Sequence, residues 1–261
     1  MSFLSVVKVE LIKLYHKRIT LLLLLFFIPS ILFGAGMAFG FSFFVSDGGG
    51  GGVDAVGKSM SGIRFAVNML EQSKYIIFLV IIILAAVSLS GELENGQIKS
   101  EITRVCSRCR IFAAKYTALL VIVYGIIAAV ILWSLLIYMF FVNNTSFASG
   151  RLYDEFLWNH ISYVLFVMLG IAFSMAVTFF LGTMLKTFPC FAISYIFWFI
   201  SLYSDFIKKL KLLFPCNMPA YLLENAGSGF NSLPYGVLYF CYCVCFIICG
   251  CVIFKARDIK F

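Results

Sequence analysis

Three groups of residues have types and spacings that chemistry uses. Gly52-Val-Asp-Ala-Val-Gly57-Lys58-Ser59 spells G-x-x-x-x-G-K-S, the pattern in which backbone N–H groups and a lysine cradle nucleotide phosphates. Cys106-Ser-Arg-Cys109 has the spacing of half a zinc or dithiol site, and Cys241, Cys243, Cys245, Cys249 and Cys251 crowd the C-terminal region. His16 and His160 complete the inventory. Each group needs elements to position it. A phosphate loop works between a buried strand and a helix, with a separate acid for magnesium. Here a long apolar run and a glycine tract precede the match, and no soluble stretch can form the sheet, so it reads as a flexible Gly-rich linker. The Cys106/Cys109 pair has no second pair or His nearby to complete a tetrahedral site. Cys241, Cys245 and Cys249 share one helical face, where a small polarizable side chain suits close helix packing.

The elements themselves are set by composition. The 261 residues are 62% hydrophobic and 12% charged, against about 25% charged in a soluble domain. Mean hydropathy is +1.03, which excludes a soluble fold and makes the bilayer the solvent. The net charge of +8 then reports basic loops, not a nucleic-acid partner. Six runs free of Lys, Arg, Asp and Glu lie at 19–46, 75–91, 116–142, 161–185, 187–204 and 235–254. Crossing the hydrocarbon takes roughly 20 apolar residues, so each run reads as a transmembrane helix and 1–261 as one all-α integral membrane domain.

Lys and Arg concentrate in 1–18, 91–115 and 255–261, which places both termini and the 92–115 loop in the cytoplasm. The first run is too long for a signal-peptide core and has no A-x-A-like site after it. Within 3–18, Phe3, Leu4, Val7, Leu11, Leu14 and Tyr15 share one helical face, with Ser5, Glu10, Lys13, His16 and Lys17 opposite. That pattern describes a helix lying in the membrane interface. The runs hold no ionisable acid, whereas ion-coupled carriers keep one in the bundle. Energy therefore comes from a partner, or the chain is a passive pore.

The most polar inner segment, 92–115, carries Glu92, Glu94, Gly96, Gln97, Ile98, Lys99, Ile102, Thr103, Arg104, Ser107, Arg108 and Lys115. Gly96 breaks it into two short helices, and Ile98, Ile102 and Val105 recur at i, i+4, i+7 beside Lys99, Arg104 and Arg108, the pattern of a short amphipathic helix. This loop resembles that of the ABC-2 type permeases, the membrane subunits of ATP-driven exporters. Their loop reads E-x-E-x-G-T-I-K-x-x-L-[ST]-x-P-[IV]-S-R with a Lys seven residues on. Here Glu92, Glu94, Gly96, Ile98, Lys99, Thr103, Ser107, Arg108 and Lys115 stand in register, while Gln97 replaces the usual Thr and Val105 the usual Pro.

The resemblance implies an ABC-2 type exporter fold of six helices with an N-terminal interfacial helix, in a bacterial cytoplasmic membrane. It implies two cytoplasmic ABC ATPase subunits as partners, ATP and Mg held there and no cofactor in this chain, which would itself be no enzyme. A second copy or a homologous six-span permease, membrane lipid and a hydrophobic substrate complete the expected assembly. The 92–115 residues named above would form the ATPase-coupling element. The outer segment 205–234 would hold short re-entrant helices, with Phe206, Leu213, Phe214, Pro215, Pro219 and Tyr221 as gate or substrate residues. The branch most similar is that of peptide-antibiotic resistance, bacitracin-type and lantibiotic-immunity permeases, exporting a hydrophobic peptide, lipid-linked compound or drug. Two other classes stay open: a membrane-embedded thiol or metal protein using Cys106/Cys109, and a passive channel or scaffold.

Overall fold

A computed structural model describes residues 2–17, 24–39, 60–105, 107–145, 148–153, 156–202, 211–224 and 232–256. The described residues are almost wholly helical: α1 (Phe3–His16), α2 (Ile28–Ala38), α3 (Gly62–Ala86), α4 (Glu92–Glu94), α5 (Gln97–Val105), α6 (Arg108–Ile137), α7 (Leu157–Gly182), α8 (Thr187–Leu202), α9 (Met218–Glu224) and α10 (Leu233–Ala256). A π-helical turn, Val87–Gly91, carries α3 into α4, and a second, Tyr138–Val142, extends α6. Four of these rods, Gly62–Glu94, Arg108–Val142, Leu157–Gly182 and Leu233–Ala256, are long and apolar enough to cross a membrane. Leu24–Ala38 and Thr187–Leu202 are shorter apolar helices within two of the other runs. Positions 19–23 and 40–46 of the first run, and the Gly52–Ser59 match, lie outside the described residues, as do Cys106 and Phe206.

Helix α3 is the spine. Ser61 caps its N-terminus by accepting from the Arg64 N–H, and Phe65, Met69, Leu70, Ile77, Ile81, Ile82 and Leu84 are buried on it. An apolar helix buried on most of its circumference sits at the centre of a bundle. It runs parallel to α7: Tyr163 meets Glu71, and Gly170 meets Phe78 the same number of residues later on both helices. Helix α6 crosses α7 in the opposite sense, with the Tyr116 hydroxyl donating to the Ala172 carbonyl (2.9 Å) and Tyr124 to Met168 (3.3 Å). Buried Ser30 and Ser134 share a hydrogen bond of 2.7 Å that ties α2 to α6.

Three readings of the sequence change here. Helix α3 begins at Gly62, so the apolar run 75–91 overlaps only its later part, and the helix also carries half-buried Glu71 and buried Lys74. The bundle does hold an ionisable acid. Helix α1 seats Val6, Glu10 and Leu14 against its neighbours and leaves Leu4, Val9, Ile12 and Tyr15 exposed. Glu10 therefore belongs to the inward face, because a buried lysine awaits it there. Cys241, Cys245 and Cys249 are exposed, whereas Cys243 and Gly250 face the bundle. Among the described residues the cysteine stripe packs against no other helix.

Candidate functional site: two charged nodes on one helix

At one end of α3 the chain assembles an ionic junction around Lys115, whose side chain is 0% exposed. Its ammonium donates to Glu10 of α1 (2.9 Å) and to Glu92 of α4, and lies 3.1 Å from a carboxylate oxygen of Glu101 on α5. Lys13 bridges Glu10 (3.0 Å) and Glu101, and Lys17 reaches Glu92 at 2.8 Å. Three carboxylates thus face three ammonium groups, drawn from four separate elements. Buried ions survive only with this kind of mutual compensation, because removing one partner strands the others.

Carboxylate oxygens of Glu10, Glu92 and Glu101 lie within 4.8 Å of one another, a donor set of the type that holds a hard cation. The Lys115 ammonium already stands among them and supplies the positive charge such an ion would bring.

The rest of the 92–115 loop is divided between inward and outward roles. Glu94 accepts from the Thr187 hydroxyl (2.8 Å) and N–H (3.3 Å), capping the start of α8. Ser90 donates to the Leu185 carbonyl at 2.6 Å, so the turn before α8 is clamped twice to the end of α3. Gly96 adopts φ +70°, the left-handed conformation that separates α4 from α5 and that a side chain would strain. Ile98 is buried and Ile102 packs on the core. Gln97, Ser100 and Thr103 form the exposed face of α5, with Lys99 half-buried beside them. Ser107 stands at the N-cap of α6 without a side-chain cap bond, and Arg108 donates to the Lys255 carbonyl (3.2 Å) at the end of α10. Arg104 lies in α5; its side chain is outside the described residues. The Cys109 thiol contacts the Cys251 carbonyl (3.8 Å), which makes it part of the same α6–α10 seam.

Toward the other end of α3 sits a second node. Lys74 pairs with Glu71 on the same helix, their side chains 6% and 14% exposed, and the Tyr163 hydroxyl of α7 donates to Glu71. The Lys74 ammonium also lies 5.2 Å from the Tyr75 ring centroid. Residues 211–224 form a strap over this region: a 3-10 turn, Lys211–Leu213, a turn through Pro215, then α9. Pro219 falls in the first turn of α9, where its missing N–H costs no helical bond. The Pro215 carbonyl lies against α7 at Gly170, where an added Cβ would come within 3.5 Å of it. Tyr239 donates to the Leu212 carbonyl at 2.5 Å, Phe214 packs on Phe197, and Tyr221 borders the Met218, Leu222 and Phe166 cluster, while Leu213 is exposed. Cys216 is buried, with Ser201, Ser174 and Lys74 in its electrostatic surroundings. Burial pushes its thiol above the ordinary range despite the opposing pull of those three groups.

The chain belongs to the DUF2705 family. That family, described as protein of unknown function (DUF2705), matches residues 22–260. No curated protein matches the chain. The DUF2705 match spans α2 to α10 and so includes Glu92, Glu101 and Lys115, whereas Glu10 and Lys13 precede it.

The structure brings together Glu92 and Lys115 from the sequence-derived set and adds Glu10, Lys13, Lys17 and Glu101, which sequence reasoning missed. One signal was available for Glu101: it lies three residues after Ile98 and one before Ile102, on the apolar flank of a helix otherwise lined with isoleucine. A carboxylate at such a place requires an internal cation. Nothing local pointed from Glu10 to Lys115.

Proposed function

We propose that this chain is the membrane-spanning permease subunit of an ATP-driven exporter, with six transmembrane helices in an ABC-2 type arrangement and both termini in the cytoplasm of a bacterium. The ATP and Mg belong to separate ABC ATPase subunits, and the chain carries a hydrophobic peptide, lipid-linked compound or drug out of the membrane beside a second permease copy. The observation that carries the reading is the Lys115 junction. Helix α5 keeps one polar face, Gln97, Ser100 and Thr103, open to a partner, while Glu101 on its other side reaches the ammonium that also holds α1 and α4. A push on the open face therefore moves an interfacial helix and the end of a buried span together, as rigid-body switching requires. The short amphipathic loop helix, Gln97–Val105, and the lack of a sheet-forming stretch beside 52–59 in the sequence fit an energy source on another chain. The strap, at the opposite end, is the exit gate in this scheme.

The proposal requires a partner ABC ATPase, and the test uses a candidate found encoded beside the chain. Co-expressed and purified from membranes, the two form a complex that Ser100→Trp abolishes while the amount of chain in the membrane stays unchanged. Glu10→Gln leaves the complex intact and lowers the export it drives. A complex retained with Ser100→Trp, at full export, contradicts the proposal.

A further inference from the structure

The start of α6 and the end of α10 meet in a seam that holds two cysteines. Gly250 lets the helices close up, since a Cβ added there would stand 2.8 Å from the Phe112 ring. The rings of Phe112 and Phe254 lie 6.0 Å apart, and Arg108 donates to the Lys255 carbonyl at 3.2 Å. Among these ties the Cys109 thiol donates to the Cys251 carbonyl at 3.8 Å, across a sequence separation of 142 residues. Of the neighbouring groups, Cys109 acts most strongly on the Cys251 thiol. A disulfide needs its Cα atoms within about 7 Å, and close approach of two helices at a glycine is the arrangement that allows it. Cysteines that only fill space are shut away from water and inert. Both of these are partly exposed, and Arg108, Arg110 and Lys255 put them at water-facing ends of their helices.

We propose that Cys109 and Cys251 form a reversible dithiol modification site, at which a peroxide joins the start of α6 to the end of α10. One thiol takes an oxygen from the peroxide, giving a sulfenic acid and a first water; the second thiol then attacks that sulfur, and the disulfide forms as a second water leaves. Two electrons and two protons pass from the thiols to the peroxide, which is reduced to water. A dithiol reductant reverses the step by exchange. Cys106, three positions before Cys109 in the sequence, offers the other pairing, but that link would stay within one segment and tie no helices together. The Cys109–Cys251 bond instead fixes α6 against α10, on the same helix that carries Lys115 into the ionic junction. This chemistry is independent of the exporter reading.

Purified full-length chain, in nanodiscs of phosphatidylethanolamine and phosphatidylglycerol, is treated with hydrogen peroxide, alkylated, digested with chymotrypsin and mapped by tandem mass spectrometry. Cys109 is expected bonded to Cys251 in most of the chain, and dithiothreitol restores both thiols. In a Cys106→Ser background, Cys109→Ser or Cys251→Ser leaves the remaining sulfenic acid without its partner, and its capture by dimedone rises about tenfold or more. Cys249→Ser, on the exposed face of α10, keeps the disulfide at its wild-type yield. A Cys106–Cys109 disulfide as the main product overturns the proposal, as do a Cys109 link to another copy, sulfinic acids without a disulfide, or thiols that stay reduced. Should a serine variant fail to accumulate, the wild-type map alone decides.

Discussion

The two charged nodes of α3 are built on opposite principles. Around Lys115, each carboxylate comes from a different element, so the junction exists only when α1, α4, α5 and α6 are all docked. Around Lys74, acid and base sit one turn apart on the same helix, a pairing that needs no tertiary contact, and α7 adds only a phenol. The first is a joint that reports on the arrangement of four segments. The second is a local pair that folding merely covers. The difference teaches which charges depend on the docking of several elements and which a single helix already pairs.

Removing the central cation of each node breaks the comparison most sharply. Lys115→Met leaves three carboxylates with only the partly exposed Lys13 and Lys17 to compensate them and costs about 5 kcal/mol, the upper end for a broken buried pair, so the chain fails to accumulate or unfolds well below wild type in a detergent melt. Lys74→Met strands one carboxylate that keeps its Tyr163 donor, and costs about 3 kcal/mol in the same melt. A Lys74 variant less stable than the Lys115 variant would reverse the ranking of the two nodes.

Smaller changes sharpen it. Gly96→Ala forces a side chain into the left-handed region and costs about 1–2 kcal/mol, read as loss of α5 protection in hydrogen exchange. Glu94→Ala removes the α8 cap and costs about 1 kcal/mol, loosening the α8 N-terminus without affecting the Lys115 junction. Tyr239→Phe deletes the hydroxyl that holds the Leu212 carbonyl and costs about 1 kcal/mol, seen as faster exchange confined to the strap.

How much of this was legible in the sequence follows from the range of the interactions. Hydrophobic runs mark the helices because burial in lipid is a property of each segment alone, and Gly96 marks its own break because a left-handed turn is local. The start of α3 was misplaced for a physical reason: Glu71 and Lys74 neutralise each other on the helix surface, so charge does not end a helix there. Glu10 read as an outward-facing residue because its partner lies more than a hundred positions away, and helical periodicity carries no information about a cation on another element. The cysteine stripe was read as packing because side-chain size is visible in sequence, whereas the direction a face points is not.

Affinity purification of the chain from its own membranes, followed by assay of vanadate-sensitive ATP hydrolysis, tests the central claim most directly. The account predicts that the wild-type chain brings an ABC ATPase with it in an active complex, and that Ser100→Trp, altering only the open face of α5, yields the same amount of chain without the ATPase or the hydrolysis. Wild-type chain that purifies with no ATP hydrolysis, or hydrolysis undiminished in Ser100→Trp, would contradict it.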